Sequence, residues 1–309
     1  MRRPYRVRGL HRARRSLPYA VVALSAAVTI AAGLLGIAAA AQPASLTQRY
    51  VTATPRSTPT APQAAPSSVP APSGQTARMA ALAAPLPPDS VSVAARNLTT
   101  GASFSFGSSG GQTTASVVKL DILETLLLEV QAVGQHLTDD QNREARNMIE
   151  DSDDDAASQL WSDVGGGPAI AAANRRLGVQ CTVPDPGSEW GLTTTCAQGQ
   201  VQLLYQLESR SSPLEEARRD YVLSLLTSVS PDQAWGIPVV ADSDTQFAVK
   251  DGWLNLDGDT DWAINSDAIV TYHGQTLLIA VLTQNDETEY SGVRLVEQLA
   301  PLAAQSVAR

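Results

Sequence analysis

Lysine is nearly absent from this chain of 309 residues. Of its 22 basic residues only two are lysine, Lys119 and Lys250. A chain that supplies positive charge as arginine elsewhere keeps lysine where a compact, titratable ammonium is needed. Histidine (three) and cysteine (two) are equally scarce. That argues against a His/Cys metal site, and no metal or cofactor is expected. Acidic residues are missing from the first 88 positions; Asp89 is the first, and all 31 lie from there to the C-terminus. That body carries only 12 basic residues. An acidic surface without a basic stripe excludes nucleic acid as a partner and argues against docking on an anionic membrane.

What is present first is a targeting pattern. Seven arginines, from Arg2 to Arg15, precede an uncharged apolar run from Leu17 to about Ala41. The run is close to the roughly 20 residues that span a bilayer, and its basic flank places the N-terminus in the cytoplasm. Ala39-Ala40-Ala41 also resembles a small-residue cleavage site. Residues 1–42 are therefore a signal anchor or a cleaved signal peptide, with the length of the run favouring the anchor. No cysteine follows it, so a lipid-modified N-terminus is not supported. Residues 43–88 are rich in Pro, Ala, Ser and Thr and poor in aromatics. Such a segment cannot bury enough apolar area to offset its ordering entropy, and it reads as a tether. The folded body is expected over 89–309, outside the cytoplasm, touching the membrane only through the N-terminal segment. A monomer is expected.

In the body, Ser90–Ala94 and Ala102–Phe106 alternate around a turn at Asn97–Gly101, a hairpin signal. Ala115 to about Val130 is apolar nearly all round, the mark of a buried helix. Thr138 to Gln141 is a capping box opening the next helix. Further helices are predicted near 155–162, 168–177, 196–208 and 213–227, the last with Ser212 as its cap and Pro213 at its first position. The period then changes to two, with strands at Gln246–Val249, Trp262–Tyr272 and Thr276–Gln284, and a helix closes the chain over 289–303. Strands from both chain ends with a helical block between them imply an α+β or three-layer α/β/α sandwich. Cys181 and Cys196 form an even pair in an exported region, which favours a disulfide.

Three short elements carry the chemistry. Ser116-Val117-Val118-Lys119 opens the buried helix and puts a hydroxyl and an amine on one face. A serine hydroxyl needs an adjacent base to attack a carbonyl; lysine can serve, whereas arginine does not give up its proton. Ser152-Asp153-Asp154 follows between helices. Lys250-Asp251-Gly252-Trp253 comes at the end of a strand. Taken singly, Ser116 reads as a helix cap, Lys119 as a snorkelling surface lysine, and the acids at 150–155 as a solvated turn.

In this order, and with both lysines inside them, the elements resemble S-x-x-K, S-D-N and K-T-G of class A serine β-lactamases and related penicillin-binding proteins. The resemblance covers about residues 89–309. It implies a five-stranded, mainly antiparallel sheet with an all-helical subdomain. Ser116 would be the acylated nucleophile, Lys119 its base or base-orienting partner, and Ser152 a proton relay. Lys250 would supply positive potential, and the backbone N–H groups of Ser116 and Trp253 an oxyanion hole, with Gly252 between them. The substrate would be a β-lactam, a related amide or a cell-wall peptide. The alternatives are a D-alanyl-D-alanine-processing enzyme and a non-catalytic binding or sensor domain.

Departures from the pattern carry their own expectations. Asp154 replaces an amide, cannot donate to a substrate carbonyl, and would hold Lys119 protonated. Asp251 occupies a hydroxyl position and, if turned into the site, would repel an anionic substrate. The stretch from Gly178 to Thr193 is too short for the usual omega loop, and Glu189 does not match the deacylating glutamate, so an acyl-enzyme should hydrolyse slowly. Two other matches are set aside. Gly107 to Gly111 satisfies G-x-S-x-G without a strand-to-helix elbow. Asp257 to Asp261 lacks the Gly and Glu of a calcium loop. The five tryptophans are expected in the core or a pocket wall.

Overall fold

The computed structural model describes residues 74–308. The targeting segment and most of the tether lie outside these residues. The elements run α1 (Gly74–Ala83), β1 (Val91–Asn97), β2 (Ser103–Gly107), β3 (Gln112–Thr113), α2 (Val118–Ala132), α3 (Asp139–Glu150), α4 (Asp154–Asp163) and α5 (Gly167–Leu177). After them come β4 (Thr194–Thr195), α6 (Ala197–Glu208), α7 (Glu216–Leu226), β5 (Ala248–Asn255), β6 (Trp262–Tyr272), β7 (Gln275–Asp286) and α8 (Glu289–Val307). Five strands form one antiparallel sheet in the order β2-β1-β7-β6-β5, and β3 pairs with β4 in a separate two-stranded ribbon. This is the α+β architecture expected.

Strand periodicity builds the layers. Leu277, Ile279 and Val281 of β7 face a core completed by α8, while Leu278, Ala280 and Leu282 face the helical block. A strand buried on both faces has no polar side to show, so β7 reads as an unbroken apolar run. The same alternation passes through β5. Ala248 packs on the helical side and Val249 on the α8 side. Lys250 and Gly252 follow Ala248; Asp251 and Trp253 follow Val249.

Helix α2 runs through the helical block with eleven of its residues buried, from Val118 to Leu128. The 3-10 turn Ala115–Val117 leads into it. The capping box at Thr138 forms as expected.

Three expectations are corrected. Gly74–Ala83, assigned to the tether, is a helix: Met79 is fully buried, and Leu82 and Ala83 pack against the α8 core. A composition rule misses ten residues that bury one side against a neighbour. Helix α7 begins at Glu216; Ser212 instead uses its hydroxyl on the N–H of Leu214 in the preceding turn. Lys250 to Trp253 lie inside β5, which is longer than predicted because β6 pairs with it through Asn255.

Candidate active site

Ser116 sits in the 3-10 turn before α2, on the wall of a cleft of about 780 Å³. The turn is held under tension. Ala115 takes φ +47°, a left-handed conformation that a β-carbon makes costly by about 1–3 kcal/mol. Ser152 takes φ +55° in the reversal between α3 and α4. Asp153 caps α4 by accepting from the Ala156 N–H at 2.7 Å, which fixes that reversal. Of the six described residues other than glycine at positive φ, two therefore lie in the motif region. Strained backbone clusters where geometry is functional.

Strand β5 closes the cleft from the sheet side. A β-carbon on Gly252 would lie 2.7 Å from the Ser116 nitrogen and 2.8 Å from that of Val117. Only glycine lets the strand approach the turn this closely.

The two lysines converge on one hydroxyl. Lys119 Nζ donates to Asp154 Oδ1 at 2.6 Å, to the Ser152 carbonyl at 2.7 Å and to Ser152 Oγ at 3.2 Å. Lys250 Nζ donates to the same Oγ at 2.9 Å and to the Asp251 carbonyl at 2.9 Å. Both lysine side chains are shut off from solvent, and among the described residues they are the largest fully buried ones. Burial pushes both ammoniums below the usual lysine range. For Lys119 the hydrogen bond and charge of Asp154 oppose that shift. For Lys250 the charge of Lys119 adds to it. Ser116 Oγ hydrogen-bonds neither to the lysines nor to Ser152.

Asp251 does not enter the cleft. Its side chain is turned to the α8 face, where Oδ2 accepts from the Trp235 N–H at 2.9 Å. It is fully buried, and burial raises its carboxyl to about 8. The two-residue period of β5 turns it away from the site, so the condition under which it would repel a bound anion is not met. Trp253 shares that face and tilts against Trp235 with ring centroids 6.1 Å apart. Asp154 is at the cleft, with its side chain 76% exposed although it grips a buried lysine.

The stretch from Gly178 to Thr193 reaches the cleft despite its shortness. The Cys181–Cys196 disulfide forms, and Val183 bridges to Thr194. Asp185 Oδ2 accepts from the N–H groups of Gly187 and Glu189. The stapled loop carries Glu189 to the cleft rim and the Trp190 ring over Lys119, with Nζ 4.8 Å from the ring centroid. The indole N–H donates to Ser158 Oγ at 3.0 Å. Sequence reasoning missed this placement of Trp190, since a loop tryptophan signals nothing about the residue it covers. It also missed Asp267, which pairs in register with Lys250 and keeps both carboxyl oxygens buried and unpartnered.

Comparison with known proteins gives the family and the fold. The model of the Beta-lactamase enzyme family matches residues 142–307. That stretch holds Ser152, Asp154 and Lys250, while Ser116 and Lys119 precede it. "Putative lipoprotein LppW" of Mycobacterium tuberculosis is 31% identical over 171 residues, and the Mycobacterium bovis protein of that name matches equally. The chain spans about half the length of these curated relatives, 54%, with 53% of its own. Among solved structures, the TLA-3 extended-spectrum β-lactamase aligns with a TM-score of 0.66 at 14% identity, over 75% of this chain and 97% of that one. PBP-A aligns with 0.63 at 19%, over 76% and 96%. The class A β-lactamase of Mycobacterium abscessus aligns with 0.61 at 18%, over 75% and 98%. At these identities the structures share the fold. The family match runs across more than half of the residues, from α3 to the end of α8, and on it the chain belongs to the beta-lactamase enzyme family.

Proposed function

We propose that the protein is an acyl-serine hydrolase in which Ser116 attacks the carbonyl of a β-lactam or a related peptide amide. The observation that carries this reading is the pair of fully buried lysines meeting at Ser152 Oγ beside the cleft. Burying two amines against one hydroxyl costs stability, and perturbed buried groups beside a cleft are a functional signature. The backbone N–H groups of Ser116 and Trp253 would stabilise the oxyanion, with Gly252 allowing the close approach of the two chains. Asp154 at the cleft would orient Lys119 rather than donate to the substrate.

Acyl-enzyme breakdown should be slow. The Trp190 ring lies over Lys119, and Glu189 stands exposed at the cleft rim, where it meets neither lysine. This favours a penicillin-binding mode over efficient turnover; among the fold relatives, a PBP-A variant is known as an acyl-enzyme with penicillin G. A location outside the cytoplasm, tethered through the N-terminal segment, is supported by the basic and apolar run, the disulfide and the lipoprotein name of the relatives.

A second reading, a non-catalytic binding domain, is favoured by one observation: among the described residues, Ser116 Oγ has no hydrogen bond to a base. The test follows intact mass after incubation with penicillin and with a chromogenic cephalosporin. A persistent adduct lost in Ser116→Ala supports the acyl-serine reading with slow hydrolysis; rapid turnover supports a true β-lactamase. No adduct and no esterase activity would leave the binding reading.

A further inference from the structure

The two lysines share a hydroxyl but differ in what else they touch. An ammonium has three N–H donors. Lys119 has an acceptor for each, in Asp154 Oδ1, the Ser152 carbonyl and Ser152 Oγ, and one acceptor is a carboxylate at 2.6 Å. The Trp190 ring adds a π face on the same cation. Lys250 has two acceptors, Ser152 Oγ and the Asp251 carbonyl. Among the described residues no carboxylate lies within ion-pair distance of it, and it is 1% exposed. An ammonium there would lie buried with no carboxylate paired to it, at a high desolvation cost. A neutral amine avoids that cost and can turn its lone pair toward the Ser152 hydroxyl.

The charged groups facing Lys250 are Lys119 from α2, Asp154 from α4, Asp267 from β6 and its neighbour Asp251 on β5. Burial and the charge of Lys119 bring its amine down to about 7, against the weaker pull of the acids. Asp251 and Asp267 are themselves pushed up by burial. As protonated acids they do little to hold an ammonium in place.

We infer that, within the acyl-serine reading, Lys119 is a fixed cation and Lys250, acting through Ser152, is the group that takes the proton of Ser116. As Ser116 Oγ bonds to the carbonyl carbon, the carbonyl π pair moves to its oxygen. The Ser116 proton passes to Ser152 Oγ, and the Ser152 proton passes to the lone pair of Lys250. When the tetrahedral adduct collapses, the oxygen pair re-forms the carbonyl and the C–N bond breaks. Lys250 then returns its proton through Ser152 to the leaving nitrogen, so no proton is gained or lost. The missing hydrogen bond at Ser116 Oγ is no obstacle, since catalytic contacts commonly tighten only with substrate bound.

The scarcity of lysine makes the test direct. The full chain labelled with [13Cε]lysine carries two labelled side chains, and Lys250→Arg assigns both signals by removing one. The expected titration has Lys250 losing its proton near neutral pH while Lys119 stays an ammonium well above it. Asp154→Asn should then bring Lys119 down. A titration in which Lys119 deprotonates first, or in which Lys250 stays charged into the usual lysine range, overturns the inference. Kinetics give a second readout. Arginine keeps the charge and does not lose a proton, so Lys250→Arg should slow acylation roughly 100-fold or more. Retained acylation in Lys250→Arg would mean that this lysine serves as charge alone. Wild-type protein that never acylates sinks the acyl-serine reading and the proton route; the charge states are still decided by the titration.

Discussion

Strand β5 serves two regions with opposite demands. Toward the helical block it presents Ala248, Lys250 and Gly252; toward α8 it presents Val249, Asp251 and Trp253. On the first side a buried lysine meets a serine hydroxyl and a glycine admits the turn that carries Ser116. On the second an equally buried acid satisfies a backbone N–H and sits in an apolar layer. Neighbouring charges on one strand thus have different partners: Lys250 meets the Ser152 hydroxyl behind the cleft, and Asp251 holds a backbone N–H on the far side of the sheet. The contrast extends to the two aspartates that depart from the family pattern. Asp154 is exposed at the cleft and pairs with Lys119; Asp251 is buried and turned to the α8 side.

The strongest way to break this contrast is at Gly252. Gly252→Ala places a methyl 2.7 Å from the Ser116 nitrogen, so β5 and the turn must part. Acylation should fall below detection by intact mass, with a stability loss of about 1–3 kcal/mol in thermal melts. A Gly252→Ala protein that acylates normally would show that the close approach is not required.

Asp251→Ala should act on stability alone. It removes the acceptor of the part-buried Trp235 N–H, at a cost of about 1–3 kcal/mol, while the acylation rate of the folded protein should stay within about twofold, which is a barrier change of about 0.4 kcal/mol. A large rate change would return Asp251 to the site.

Asp154→Asn should do the reverse. With its carboxylate mostly in solvent, melting should change little. The charge of Asp154 helps to hold protons on both lysines, so without it Lys250 should lose its proton more readily and the rising limb of the acylation pH profile should move to lower pH. Faster acylation near neutral pH follows, and an unmoved profile would mean that the acid is tolerated by the site.

The smallest effect spans both regions. Burial raises the carboxyls of Asp286 to about 6, Asp121 to about 7 and Asp251 to about 8, and lifts Glu124 and Asp267 well above the carboxylate range. A raised folded value means that the native state binds these protons more tightly than the unfolded chain. The stability they contribute is complete below the ordinary carboxylate range and is lost as pH rises through 6 to 8. Lysines with lowered values act in the opposite sense, but only above about 7, where Lys250 begins to differ from its unfolded state. Thermal stability should therefore decline from pH 5 to about pH 8. Asp121→Asn should flatten the decline; a midpoint that rises over this window would contradict the buried-acid account.

Much of this was legible in the sequence. Two lysines among 22 basic residues singled out the pair that the fold buries against Ser152 Oγ, and the order of the three motifs carried the fold class. Strand β6 was bounded correctly, because a run that alternates or is wholly apolar between polar turns announces itself. The position of Asp251 was open to the same periodicity, since Val249 and the strand period already place it opposite Lys250. Other features depend on tertiary contacts that local pattern does not encode. Met79 anchors a helix in a segment whose composition reads as a tether. Trp190 covers Lys119 only because a disulfide and an Asp185 turn aim its loop. Asp267 looks like an interruption in an apolar strand until its register partner is known to be Lys250.

The central claim is that the buried lysine pair exists to make Ser116 reactive. Peptide mapping of the full chain after exposure to a β-lactam tests it most directly. The account predicts a single acyl adduct, located on Ser116 and absent from Lys250→Arg. An adduct on another residue, or none with any β-lactam or activated ester while the protein remains folded, would contradict it.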